Sequence, residues 1–267
     1  MASSTSREWS GSAEPSNERI MTHIRGFDEE IGGGIPPGHI TLIYGPTGTM
    51  KSSLAYYILY NNVLEGRKGL YVTLEQDAES LADQMESLGM EIVAASKLIP
   101  ILDLSRGREK LQELDEKMRA LKKRVPNSPV AENGFLGIIQ AKVEELKRKR
   151  GFDLLVIDSL EALELVAKFP DRRKDLFDFF EWLRSLNVTA FVVSESTPDL
   201  LGFLRFQETF DEAFLADAIF ELKMEIVNNV DVQRRIRCVK MRSVNHKTDY
   251  FTLIHENKWF EITKAIC

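Results

Sequence analysis

Cysteine is nearly absent: Cys238 and Cys267 are the only two in 267 residues. Two thiols without metal-ligand spacing make neither a disulfide framework nor a zinc site, and they fit a reducing compartment. Long apolar runs are missing too. No stretch approaches the roughly 20 residues that a membrane-spanning helix needs, and the N-terminus has no hydrophobic segment of the signal-peptide kind. The expectation is a cytoplasmic protein with no membrane partner. Positive charge is not in excess either, since 35 basic against 41 acidic residues leave a formal −6. No global field therefore draws the chain to nucleic acid. Local basic stretches at Lys122, Lys123, Arg124 and Lys147–Arg150 keep a nucleic-acid partner open, though disfavoured.

What the chain does have is enough apolar content, 43%, to bury a core of its own, and one domain is the default at this length. Residues 1–18, rich in Ser, Glu and Pro, bury too little to order by themselves and read as a tail. From 19 to 267 short apolar runs alternate with helical patterns, the signature of βαβ units and a parallel sheet. Buried strands are expected at His39–Tyr44, Gly69–Leu74, Lys97–Leu102, Leu154–Ile157 and Val188–Val193. Helices are expected at Lys51–Glu65, Ala78–Leu88, Phe135–Lys149 and Lys174–Leu186. After Ala216 strands follow closely (Ala216–Met224, Arg234–Met241, Tyr250–Ile254), which predicts an antiparallel extension of the sheet.

A charged stretch at about 105–130 does not fit a minimal core. Leu111, Leu114, Met118 and Leu121 recur at helical spacing, as do Leu136, Ile139, Val143 and Leu146, so the two segments could pair as a helical hairpin. A solvated helix packed on its neighbour and a partner-docking arm both remain open.

The strand pattern ITLIY runs into GPTGTMKSS and then into a helical pattern, the context a phosphate-binding loop requires. Such a loop turns backbone N–H groups inward, opens a helix N-terminus toward the anion, and supplies an ammonium for the β/γ oxygens and a hydroxyl for magnesium. Gly45, Pro46, Thr47, Gly48, Thr49, Met50, Lys51, Ser52 and Ser53 form the expected cradle for ATP, with Lys51 on the phosphates and Ser52 on Mg2+. Met50 stands where the usual pattern has glycine. If that position needs a positive φ, methionine costs about 1–2 kcal/mol of strain.

At these residues the chain resembles the KaiC-like branch of the RecA superfamily. The opening GFDEEIGGGIPPGHITLIYGPTGTMKSS and the later blocks GLYVTLEQ, DLLVIDSL, FLADAIFEL and VKMRSVNH are similar to that family's blocks, in the same order, from about Gly26 to Ile262. The blocks occur once, as in single-domain archaeal or bacterial members. The resemblance implies an α/β, RecA-like three-layer core with a mainly parallel sheet, ATP with magnesium, and a homo-oligomer, often a hexameric ring, with nucleotide at subunit interfaces.

Asp158 closes the apolar run Leu154–Ile157, where a central strand carries a carboxylate to the magnesium shell. An aspartate there can also simply cap the next helix. Glu75 ends another strand and is the candidate general base, because ligands of open α/β sheets sit beyond the carboxyl ends of the strands. The family places an acidic pair here, and this chain has Gln76 as the second member. Ser194, Glu195 and Ser196 follow a strand at the same edge, where a sensor of the γ-phosphate or an ordinary loop would sit. Lys240 and Arg242, two apart on a predicted strand, read as a solvated ridge. The resemblance implies that they reach the γ-phosphate of a neighbouring subunit. His246 belongs to the same block. Three functions stay in view: an ATPase whose nucleotide state sets assembly or the affinity for a still unknown protein partner, a nucleotide-binding regulatory module, and a recombination accessory protein.

Overall fold

A computed structural model describes residues 18–91, 98–105, 129–195, 211–228 and 230–264. Residues 1–17 of the tail and most of the 105–130 stretch lie outside the described residues, as does Ser196. Along the chain, α1 (Phe27–Glu30) precedes β1 (Ile40–Gly45), α2 (Lys51–Leu64), β2 (Gly69–Thr73), α3 (Ala78–Ser87) and β3 (Ile101–Asp103). There follow α4 (Pro129–Arg150), β4 (Leu154–Asp158), α5 (Leu160–Ala167), α6 (Arg172–Ser185), β5 (Thr189–Glu195) and α7 (Asp211–Leu215). The strands β6 (Ala218–Val227), β7 (Asp231–Met241), β8 (Phe251–Glu256) and β9 (Trp259–Lys264) come last.

All nine described strands form one sheet in the order β3-β2-β4-β5-β1-β6-β7-β8-β9. Pairing is parallel from β3 across to β6 and antiparallel from β6 to β9. Both faces of the parallel part are covered, which explains why β1, β2 and β4 read as continuous apolar runs rather than as alternating ones. Side chains alternate between two cores. Ile43, Tyr71, Val156 and Phe191 pack with α2 and α3 on one face, while Leu42, Val72, Ile157 and Val192 pack with α4, α5 and α6 on the other. Helices on both faces of a mostly parallel sheet make the three-layer α/β architecture, with an antiparallel C-terminal extension.

Several expected boundaries move. Only Ile101–Asp103 pairs with β2 where Lys97–Leu102 was expected, and residues 92–97 lie outside the described residues. The fourth helix begins at Pro129 and bends at Gly134 (φ 57°, ψ −131°) before the expected start at Phe135. Its apolar face does not wait for a hairpin partner: Leu136, Ile139 and Val143 are buried in the sheet core, with Leu146 packed against them. The proposed partner face, Leu111–Leu121, lies outside the described residues.

Candidate functional site

The C-terminal ends of β1, β2, β4 and β5 open at one edge of the sheet. Their parallel register sets Thr73 opposite Asp158, Asp158 opposite Val193, and Gly45 opposite Glu195. Gly45 lies tight against β6: a Cβ there would lie 2.2 Å from the Leu222 carbonyl oxygen, so any side chain would push the strands apart. The chain then loops through Pro46–Met50 into α2, whose first described hydrogen bond runs from Leu54 N to Met50 O at 2.9 Å. Within the loop the Thr49 hydroxyl donates to the Pro46 carbonyl at 2.8 Å, and the Lys51 ammonium donates to the same oxygen at 3.1 Å. Met50 takes the left-handed conformation, φ 71° and ψ 31°, with its side chain packed on the core beneath α2. The departure from glycine therefore falls on the backbone geometry that favours glycine.

Four carboxylates gather around this loop. Asp158 is 5% exposed. It accepts hydrogen bonds from the Ser52 hydroxyl at 3.2 Å and the Tyr71 hydroxyl at 2.6 Å. Burial pushes its pKa up to about 6, against the pull of those two donors. Among the described residues no cation pairs with it. Glu75, just past β2, accepts from the Ser159 hydroxyl, which also caps α5. Glu195 accepts from the Thr47 hydroxyl. Glu161, in the first turn of α5, accepts from the Ser194 hydroxyl at 2.6 Å and from the Glu195 N–H at 2.8 Å, and burial raises its pKa. Lys51 stands among them: burial lowers its pKa, and Glu195, Glu161, Glu75 and Asp158 pull it back.

A cleft of about 570 Å³ brings Thr47, Gly48, Met50, Lys51, Ser52 and Ser53 together with Glu75, Asp158 and Glu195. Gln76 lines it beside Glu75. Lys240 and Arg242 are not brought there. The Lys240 ammonium donates to the Ala213 and Ala216 carbonyls at 3.0 and 2.7 Å, and Arg242 bonds to Asp217 at 2.7 Å and to the Phe214 carbonyl at 3.0 Å. Asp217 in turn accepts from the N–H of Ile40, the first residue of β1, so the pair lies at the opposite end of the sheet from the loop. His246 sits near it in the chain, its ring against the Val244 carbonyl at 3.1 Å.

Sequence reasoning missed three lining or supporting groups. Arg234 reaches the Gly48 carbonyl at 3.4 Å because β7, antiparallel to β6, begins at the loop's end of the sheet. Gln84 of α3 donates to the Ser53 hydroxyl at 3.2 Å. Tyr71 meets Asp158 diagonally across the β2–β4 ladder, two residues along from its direct partner Val156, a signal readable only once that register is known. The basic end of α4 is partly engaged, with Lys149 on Glu145 and Lys147 on the Phe152 carbonyl.

Strand, glycine loop and helix at the carboxyl edge of a mostly parallel sheet, with Asp158 ending β4 and β5 lying between that strand and β1, define a P-loop domain of the RecA superfamily. Residues 20–265 match the KaiC ATPase family, and the chain belongs to it. Membership places it among the ATP-binding P-loop ATPases. It is 28% identical over 247 residues to the circadian clock protein KaiC3 of Synechocystis, spanning 90% of this chain and 44% of that one. It is 26% identical over 189 residues to a UPF0273 protein of Methanopyrus kandleri, 70% of each. The chain thus spans less than half the length of the clock proteins it matches. The crystal structure of a KaiC-like protein from Pyrococcus horikoshii shares the fold, with a TM-score of 0.69 over 92% of this chain and 98% of that one at 24% identity. Among the described residues no helix is long and apolar enough to cross a membrane.

Proposed function

We propose that this chain binds ATP with Mg2+ at the β1–α2 loop and hydrolyses it, within a homo-oligomer whose assembly or protein partner responds to the nucleotide. The observation that carries the reading is the Ser52–Asp158 oxygen pair, 3.2 Å apart with the carboxylate buried, in the same cleft as Lys51. A buried carboxylate without a cation partner, beside a hydroxyl, is an oxygen donor set that suits Mg2+, which takes one or two protein ligands and keeps water and phosphate oxygens for the rest. When bound, Mg2+ supplies charge neutralisation on the phosphates. Lys51 takes the β/γ oxygens, and the Gly45–Ser53 backbone and the α2 N-terminus hold the chain of phosphates. Glu75, exposed in the cleft and fixed by Ser159, orients and deprotonates the attacking water.

Lys240 and Arg242 are too far along the sheet to serve their own chain's loop. In this reading they complete the site of a neighbouring subunit, in a ring of the hexameric kind, where a guanidinium offsets the charge of phosphoryl transfer. The left-handed Met50 and the neutral Gln76 favour a second reading, a nucleotide-binding module with little turnover. Phosphate release with excess Mg2+, in EDTA and with added single-stranded DNA separates these readings. Glu75→Gln should retain ATP binding and lose turnover. Turnover that persists in EDTA, or in Glu75→Gln, contradicts the first reading, and stimulation by DNA favours the recombination alternative.

A further inference from the structure

The mechanism above leaves Glu195 without a task, although it stands on the phosphate loop. Its Cα is paired with that of Gly45 on the adjacent parallel strand, so its side chain leaves β5 beside the first residue of the loop. The carboxylate accepts a hydrogen bond from Thr47 and lines the same cleft as Lys51. Its base is fixed from below. One Glu161 oxygen accepts both the Glu195 N–H and the Ser194 hydroxyl, and the other Glu161 oxygen is buried without a hydrogen-bond partner among the described residues. The Glu195 side chain itself is exposed, so it can turn away about a fixed backbone.

A loop built to attract phosphate therefore has an anion of its own on one of its donors. We infer that Glu195 is a charge gate: its carboxylate competes with the nucleotide phosphates for Thr47 and Lys51, lowering affinity for ATP and favouring the magnesium complex over free ATP. Of the carboxylates acting on Lys51, Glu195 acts most strongly. The discrimination follows from charge alone. Free ATP carries more negative charge than its magnesium complex, so a fixed anion at the loop penalises the free form more. Glu161 is a positioning residue for Glu195 in this scheme, and its own charge adds to the field on Lys51. The inference rests on the loop being the ATP site.

Glu195→Gln removes the charge and keeps the size and an acceptor for the Thr47 hydroxyl. Calorimetric titration with ATP in EDTA should show binding tighter by about fivefold, the size of one charge a few ångströms from another in water. With excess Mg2+ the gain should be smaller, and it should shrink in about 1 M salt, where the Debye length is about 3 Å. Glu195→Ala should move affinity in the same direction. Unchanged or weaker binding in EDTA, or a gain that ignores Mg2+ and salt, would overturn the gate. If Lys51→Ala leaves ATP binding intact, the ATP-site reading fails. If Lys51→Ala loses binding and Glu195→Gln gains nothing, only the gate fails.

Discussion

Met50 gives the sharpest test of the loop's energetics. At φ 71° and ψ 31° any residue with a Cβ bears about 1–2 kcal/mol of strain that glycine avoids. Glycine in turn loses about 0.4–1 kcal/mol relative to alanine through the greater freedom of its unfolded chain. Met50→Gly and Met50→Ala remove nearly the same side chain, so the difference between them isolates the backbone term. Glycine should be the more stable variant by about 1 kcal/mol, the reverse of the order in a helix interior. Against the native chain the glycine variant should come out within about 1 kcal/mol, because relief of strain is offset by loss of a half-buried methionine's contacts with the core. Urea unfolding of the three proteins without nucleotide measures this. Alanine equal to or above glycine in stability would refute the strain argument. Phosphate release by the glycine variant should equal or exceed that of the native chain, and a collapse of ATP binding there would mean that the methionine side chain is itself a contact.

Tyr71→Phe removes a hydroxyl that donates to the buried Asp158 at 2.6 Å, and a lost hydrogen bond to a charged group costs about 1.5–3 kcal/mol. Thermal unfolding should fall accordingly, and half-saturation of ATP binding should need several-fold more Mg2+ by calorimetry; an unchanged Mg2+ requirement contradicts the role given to Asp158. For the shared site, Arg242→Ala subunits mixed with Glu75→Gln subunits should regain phosphate release that neither parent shows. Continued inactivity of a mixture that assembles and exchanges subunits would rule out action between subunits.

The sheet was legible wherever burial on both faces writes a continuous apolar run: β1, β2, β4 and β5 fall within about two residues of expectation, and Gly45–Ser53 stands in the strand-loop-helix context that its residues require. Short elements were less legible. The helix α5 follows Asp158 after a single capping serine, and its apolar residues extend the run that marks the strand before it. The edge strand β9 alternates too briefly to stand out, with Phe260 alone fully buried. In the site, residue types announced Lys51, Ser52 and Asp158, yet the contacts that set their chemistry join residues far apart in the chain. Tyr71 and Asp158 are 87 residues apart, and Thr47 and Glu195 are 148 apart. Such pairs depend on which strands lie side by side and in what register, and no local pattern encodes that.

In the proposed function Lys51, held over the Pro46 carbonyl at the entrance to α2, is the cation that binds ATP phosphate. Calorimetric titration of ATP and Mg2+ into the native chain and Lys51→Ala tests it most directly. The native chain should bind at micromolar concentrations and the variant, folded by circular dichroism, should show no binding heat; equal affinity in the two would contradict the assignment of the loop.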